Sequence, residues 1–175
     1  MTLIKWIAFA ALSCLAACQL GPADTAPGTV YLVRHAEKTT VNPDPGLTLA
    51  GEQRAQQLAD RLETAGVTAI WTTDYARTRA TAAPLAERLG VEVRLYSPGD
   101  LPGFAEYLQT HPEETALVVG HSNTTPQLVE LLGGDPGVPI NEAGEYDRLY
   151  IVSTRERTSV LERFGALYSS AGPDG

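Results

Sequence analysis

The sequence predicts an α/β protein: a three-layer α/β/α sandwich on a mostly parallel central sheet, with helices on both faces and an antiparallel edge strand. Three observations predict it. Short apolar runs alternate with helix-period segments along the body, as in parallel strands joined through helices. Two of the runs, in "TVYLVR" from Thr29 and "TALVVG" from Thr115, are apolar almost throughout and read as buried strands. The last two runs, "DRLYIVS" and "SVLERFG", are separated only by the polar link "TRERT" and read as an antiparallel pair.

The elements follow in order. A strand spans Thr29 to Arg34, and the loop after it, "TTVNPDPG", carries two prolines. A helix covers Leu49 to Ala65. Thr48 is its N-cap, Ala55, Leu58, Ala59 and Leu62 keep the i, i+3, i+4, i+7 spacing, and Gly66 ends it. The strand "TAIWT" comes next. "DYARTRATAAPLAERLG" is helical in pattern, and Pro84 inside it predicts a kink or a break into two pieces. "VEVRLY" alternates as an edge strand does, and "PGFAEYLQTH" is a short helix. After the buried strand from Thr115, "TTPQLVELLGG" predicts a helix with Thr125 as N-cap and Pro126 at its first position.

The N-terminus reads as an address rather than as fold. Lys5 precedes the apolar stretch Trp6 to Cys18, too short for a comfortable span and shaped like a secretory signal. Its end, "LAAC", resembles a bacterial lipobox. Residues 1–17 are expected to be a signal peptide, with Cys18 as the lipidated first residue of the mature chain. The plain alternative is an ordinary signal without lipid. Residues 18–28, rich in Pro, Gly and Ala, are expected to be a flexible tether, 29–166 the domain and 167–175 a frayed tail. Gln19 follows the cysteine, which favours an outer-membrane lipoprotein facing the periplasm over inner-membrane retention. Both cysteines, Cys14 and Cys18, lie in the stretch Trp6 to Cys18, so the body offers neither a disulfide nor a thiol nucleophile.

The chain has 175 residues and a formal net charge of -8, with no Lys/Arg cluster. Nucleic acid is therefore not an expected partner. An anionic ligand must be held by a few placed cations against the overall field. The sequence has three histidines and no HExxH or clustered-carboxylate spacing, so neither a metal nor another cofactor is expected.

Ligands of open α/β sheets bind beyond the carboxyl ends of the strands. Three such ends bring chemistry here: Arg34 and His35 after the first strand, Arg77 after "TAIWT", and His121 after the strand from Thr115. Imidazole is a nucleophile toward phosphorus, and guanidinium binds phosphate oxygens in bidentate fashion. A phosphoryl group in transfer is stabilised by such fixed donors.

At these residues the sequence resembles the histidine phosphatase superfamily, also called phosphoglycerate mutase-like. "LVRHAEK" resembles its Arg-His-Gly/Ala signature. "LTLAGEQRAQQLADRL", "TTDYARTRATA" and "LVVGHSNT" resemble three further segments in the family's order. The resemblance implies that His35 forms a phosphohistidine, that Arg34, Arg77 and His121 complete the phosphate pocket, and that Asn123 adds an amide donor or orients a neighbour. It implies no metal. Thr72 and Thr73 stand in place of the usual serines, and Asp74 in place of a common proline, beside Arg77 and able to compete with phosphate for it. The acid that protonates the leaving group is expected in the segment after the third strand. Asp100 is favoured there; Glu106, within the helix pattern, and Glu37, two residues after His35, are the alternatives. Asp100 as a turn or cap residue is the competing structural role. Lys38 reads as an exposed loop residue, Arg54 and Arg79 as partners of acids on helix surfaces, and Asp147 and Arg148 as either a surface pair or pocket rim.

Hydrolysis of a small phosphomonoester is the leading expectation. A phosphoprotein, including phosphohistidine, is a second substrate class. Mutase chemistry is disfavoured by the short chain, which lacks an extra basic cluster. The non-enzymatic alternative is a lipid-anchored phosphate-binding domain without turnover.

Overall fold

The computed structural model describes residues 27–167. The expected signal peptide, Cys18, most of the tether and most of the tail lie outside them. Ten elements run in chain order: β1 (Thr29–Arg34), α1 (Leu49–Leu62), β2 (Ala69–Thr72), α2 (Ala76–Leu89), β3 (Val93–Leu95), α3 (Leu101–Thr110), β4 (Ala116–Gly120), α4 (Thr124–Leu131), β5 (Arg148–Ser153) and β6 (Thr158–Arg163).

The strands form one sheet in the order β3-β2-β4-β1-β5-β6. The first four are parallel; β5 pairs antiparallel with both β1 and β6. The antiparallel strand is thus β5, one place in from the edge, and β6 covers it. Strand side chains alternate between faces. Val30 and Leu32 of β1 join a core with Phe104 and Leu108 of α3 and Leu128 and Val129 of α4. Tyr31 and Val33 join the opposite core with Leu58 and Leu62 of α1 and Leu85 of α2. Both strands at the centre, β1 and β4, are buried along their whole length.

Helix ends follow local chemistry. The Thr48 hydroxyl accepts from the Gly51 N–H at 3.1 Å, the cap read from the sequence. Helix α2 runs unbroken through Pro84, so the expected break does not occur. Thr81 and Leu85 on either side of the proline are buried, and packing holds the helix where one backbone bond is lost. Helix α4 begins at Thr124, before the expected cap. Its two threonines are used otherwise: Thr124 Oγ1 accepts from the His121 N–H at 3.0 Å, and Thr125 Oγ1 donates to the Val33 carbonyl at 3.2 Å. These bonds lock α4 to the ends of β4 and β1. Gly120 permits that closeness, because a Cβ there would lie 2.7 Å from the Tyr96 hydroxyl. At the far end of β1, the Gly28 carbonyl accepts from the Thr154 N–H at 2.9 Å, so the last residue of the expected tether is tied to the domain.

Candidate active site

Register brings the site together. Arg34 of β1 lies opposite Gly120 of β4, and Thr72 of β2 opposite Val119. The three strands therefore end level with one another. The His35 N–H donates to the Gly120 carbonyl at 2.9 Å, so the first residue past β1 is pinned beside the end of β4. The His35 and His121 rings meet edge to face, 5.5 Å between centres.

His35 is buried, 3% exposed, yet borders a cavity of about 400 Å³. Its Nδ1 lies 2.8 Å from the Ala36 carbonyl. A carbonyl only accepts, so Nδ1 carries the proton and Nε2 keeps a lone pair. Burial pulls the imidazole down to about 3; the Ala36 bond opposes this, and the charges of Arg34 and Arg77 reinforce it. His35 is therefore a neutral imidazole with a free nucleophilic nitrogen at neutral pH.

His121 is held at both nitrogens. Arg77 Nη2 lies 3.4 Å from its Nδ1, and Thr73 Oγ1 lies 3.0 Å from its Nε2. Guanidinium only donates, so Nδ1 accepts and Nε2–H donates to Thr73. Burial, then the Arg77 charge, pull His121 down to about 4.

The two arginines differ in setting. Arg34 is buried, and its Nη groups donate to the carbonyls of Asn141, Glu142 and Glu145. Its guanidinium lies 4.0 Å over the Tyr146 ring. Arg77 lies 4.4 Å over the Tyr75 ring, and its Nη1 stands 3.7 Å from Asp44. Each keeps its Nε–H buried without a hydrogen-bond partner among the described residues. A buried donor without an acceptor is costly. An oxyanion bound beside His35 would satisfy such donors.

The cavity is lined by His35, Arg77, His121 and Asn123 of the site residues expected from sequence, by Lys38, expected only as an exposed loop residue, and by Tyr75 and Glu142, to which no role was assigned from sequence. Pro98, Gly99, Ser122 and Thr124 complete it. Arg34 lies outside the lining and bears on the site through its contacts beside His35.

The expected acids are placed elsewhere. The Asp100 carboxylate caps α3, accepting from the Gly103 N–H at 3.0 Å, and is not part of the lining. Glu37 is bound in bidentate fashion by Arg54, at 2.7 to 3.0 Å, and turned from the cavity. Glu106 lies exposed on α3 and also outside the lining. Arg54 is buried rather than on a helix surface, and its other donors reach the carbonyls of Phe164 and Ala166. Gly51 makes this possible, since a Cβ there would collide with the Glu37 carbonyl. Asp74 pairs with Arg79, so the acid nearest Arg77 is Asp44. Asp147 and Arg148 are buried and belong to neither surface nor rim: Arg148 binds Glu145, and Asp147 takes Arg163.

Lys38, read from the sequence as an exposed loop residue, is exposed and also lines the cavity. It is brought in by the bridge between Lys38 and Leu47, which folds its loop back on itself. Glu142 precedes β5 in a turn that only Arg34 marks as near. Among the described residues, no group of three or more His, Cys, Asp or Glu side chains is arranged to hold a metal ion.

The mixed α/β sheet thus places paired imidazoles and two guanidiniums with buried Nε–H groups at and just past its parallel strand ends. The chain matches the model of the histidine phosphatase superfamily (branch 1) over residues 30–97. It is 40% identical over 73 residues to Probable phosphoglycerate mutase GpmB of Enterobacter sp. (strain 638), a stretch that is 38% of this chain and 34% of that protein. Against the GpmB of Klebsiella pneumoniae (strain 342) the identity is 42% over 71 residues, 37% of this chain and 33% of that one. The match thus spans about a third of the length of these relatives. The fold is that of the protein histidine phosphatase SixA complexed with tungstate, at TM-score 0.60 and 14% identity, covering 79% of this chain and 96% of that one. The alpha-ribazole phosphatase of Shigella flexneri gives TM-score 0.60 at 12% identity, with the same coverage.

Proposed function

We propose that this protein hydrolyses phosphomonoesters through a phosphohistidine on His35. The observation that carries the proposal is the state of His35: its Nδ1–H is spent on the Ala36 carbonyl, its ring is neutral, and it borders the same cavity as Arg77 and His121. The Nε2 lone pair attacks phosphorus, the P–O bond to the leaving group breaks, and water later cleaves the P–N bond. Arg77 and the Nε–H of Arg34 hold the phosphoryl oxygens as charge spreads over them, and His121, its nitrogens taken by Arg77 and Thr73, keeps Arg77 in place. The test is turnover of a panel of phosphomonoesters by the purified domain. Rapid quenching in base should trap phosphate on His35, stable in base and lost in acid. His35→Ala should fold and lose turnover; phosphate on another residue would overturn the assignment.

A phosphohistidine or other phosphorylated side chain on a protein is a second substrate class. It is favoured by a groove of about 300 Å³ that shares Ser122 and Asn123 with the cavity and continues along Pro126, Gln127 and Pro139. Comparing a phosphohistidine peptide with a small alkyl ester separates the two.

The envelope lipoprotein remains part of this proposal. It rests on "LAAC" ending at Cys18, and two lipid chains or more are needed for lasting attachment. Among the described residues no helix is long and apolar enough to cross a membrane. Cys18→Ser should release the protein from the membrane fraction or block its maturation; intact mass showing an unmodified N-terminus at Ala23 or later would refute the anchor.

A further inference from the structure

We propose that Glu142 is the acid that protonates the leaving group, and the base that activates water in the second half of the reaction. This rests on the phosphohistidine mechanism proposed above.

The argument starts from what the cavity holds. Among the described residues Glu142 is the sole carboxylate residue lining it, while Asp100, Glu37 and Glu106 lie outside that lining. The other groups that could donate a proton are committed or unsuited. His121 uses Nδ1 to accept from Arg77 and Nε2–H to donate to Thr73. Lys38 and Arg77 are cations, and a cation facing a phosphate dianion keeps its proton. The hydroxyls of Ser122 and Thr124 are too weak as acids. The reaction also needs the proton back: whichever group gives a proton to the alkoxide must later take one from water. A carboxyl group does both.

Glu142 is also well held for a loop residue. Its carbonyl accepts from Arg34 Nη2 at 2.8 Å. Its turn is closed by the Glu145 N–H on the Asn141 carbonyl, at 2.9 Å, and by the Asn141 N–H on the Glu145 carboxylate, at 2.8 Å. Glu145 is buried, and Arg148 and Arg163 clamp it. The backbone of the acid is thus joined to the arginine beside the nucleophile, while its side chain is exposed. Catalytic groups gain from such rigid support.

The steps balance. With Glu142 protonated, the His35 Nε2 lone pair forms the N–P bond. The P–O bond electrons go to the leaving oxygen, which takes the Glu142 proton and departs as an alcohol. The Glu142 carboxylate then takes a proton from water as the water oxygen bonds to phosphorus. The P–N electrons return to His35, and phosphate leaves with Glu142 protonated again.

The experiment compares two esters in wild type and Glu142→Gln. Glycerol phosphate has an alkoxide leaving group that needs a proton; 4-nitrophenyl phosphate has one that does not. The expected result is a fall in kcat/KM of about 100-fold or more for glycerol phosphate, and less than about 3-fold for 4-nitrophenyl phosphate. With the aryl ester the variant should also show a burst of nitrophenol and accumulate phosphohistidine, because the second step has lost its base. Glu142→Asp should restore part of the glycerol phosphate activity. An equal fall with both esters, or no fall with either, would overturn the role of Glu142 while leaving His35 in place. A wild-type protein that turns over neither ester would instead overturn the hydrolase itself, and the Glu142 role with it. A thermal melt unchanged by Glu142→Gln confirms that the comparison is between folded proteins.

Discussion

Arg77 donates to Nδ1 of His121 across 3.4 Å, and this contact decides which nitrogen of His121 carries its proton. The proton sits on Nε2 and points at the Thr73 hydroxyl, 3.0 Å away. Thr73 passes the pattern on, 3.2 Å to the hydroxyl of Thr78, which donates to the Thr73 carbonyl at 2.8 Å. Arginine, imidazole and two threonines form one chain of donors and acceptors, all facing one way.

Thr73→Val tests that chain. Valine fills the space but accepts nothing, leaving the His121 Nε2–H unpartnered at a cost of about 1–3 kcal/mol. We expect kcat/KM to fall about 10-fold or more, and the ring nitrogen signals of His121 to shift toward a mixture of tautomers. Unchanged rates and an unchanged nitrogen spectrum would mean that Arg77 alone sets the ring.

Histidine titration gives a second prediction. Burial holds His35 at about 3 and His121 at about 4. Their ring resonances should stay in the neutral position from pH 8 down to about 5. An unfolded histidine titrates near 6.5. Between that value and the folded one, the unfolded chain binds more protons. Stability therefore falls as pH falls through this window, by up to about 1.4 kcal/mol per pH unit for His35. A melting series from pH 7 to pH 4 should show the decline, and His35→Gln should make it shallower. A His35 ring that titrates near 6.5 in the folded protein would contradict both.

Glu37 should prove structural. Its carboxylate holds Arg54, whose side chain is 7% exposed. Glu37→Gln leaves a buried guanidinium short of a charge partner, and we expect about 2–3 kcal/mol of lost stability, with little change in KM. A raised KM at unchanged stability would instead give Glu37 a part in substrate binding.

Asp100→Ala should cost about 1 kcal/mol through loss of the α3 cap and leave the rate ratio between alkyl and aryl esters as in wild type. Selective loss of the alkyl ester activity would make Asp100 the acid.

The legible part of the site is the part fixed by strand ends. Arg34, His35 and His121 stand at or just past the ends of β1 and β4, which parallel register sets level, and Arg77 follows in the first turn of α2 after β2. What stayed hidden depends on loops that fold across the sheet. Glu142 lies 108 residues from Arg34 in sequence, and the only signal linking them is a hydrogen bond to its carbonyl, which no side-chain pattern encodes. Asp100 has the sequence of a cap and of an acid alike, and the Gly103 N–H decides between them. Of the two outcomes expected at Pro84, the break does not occur, because the packing of Ala82 and Leu85 outweighs the lost backbone bond.

The direction of β1 has a practical consequence for handling the molecule. The chain enters at Gly28, against Thr154, and His35 stands at the other end of the strand. A six-residue strand spans about 20 Å. A bead, a surface or a fusion partner joined before Pro27 therefore attaches at the pole opposite the nucleophile, and the cavity faces away from the support. A tag added after Leu167 leaves instead from the nucleophile's side, where Arg54 grips the carbonyls of Phe164 and Ala166 beside Glu37. For capture of bulky phosphorylated ligands, the N-terminus is the handle to use.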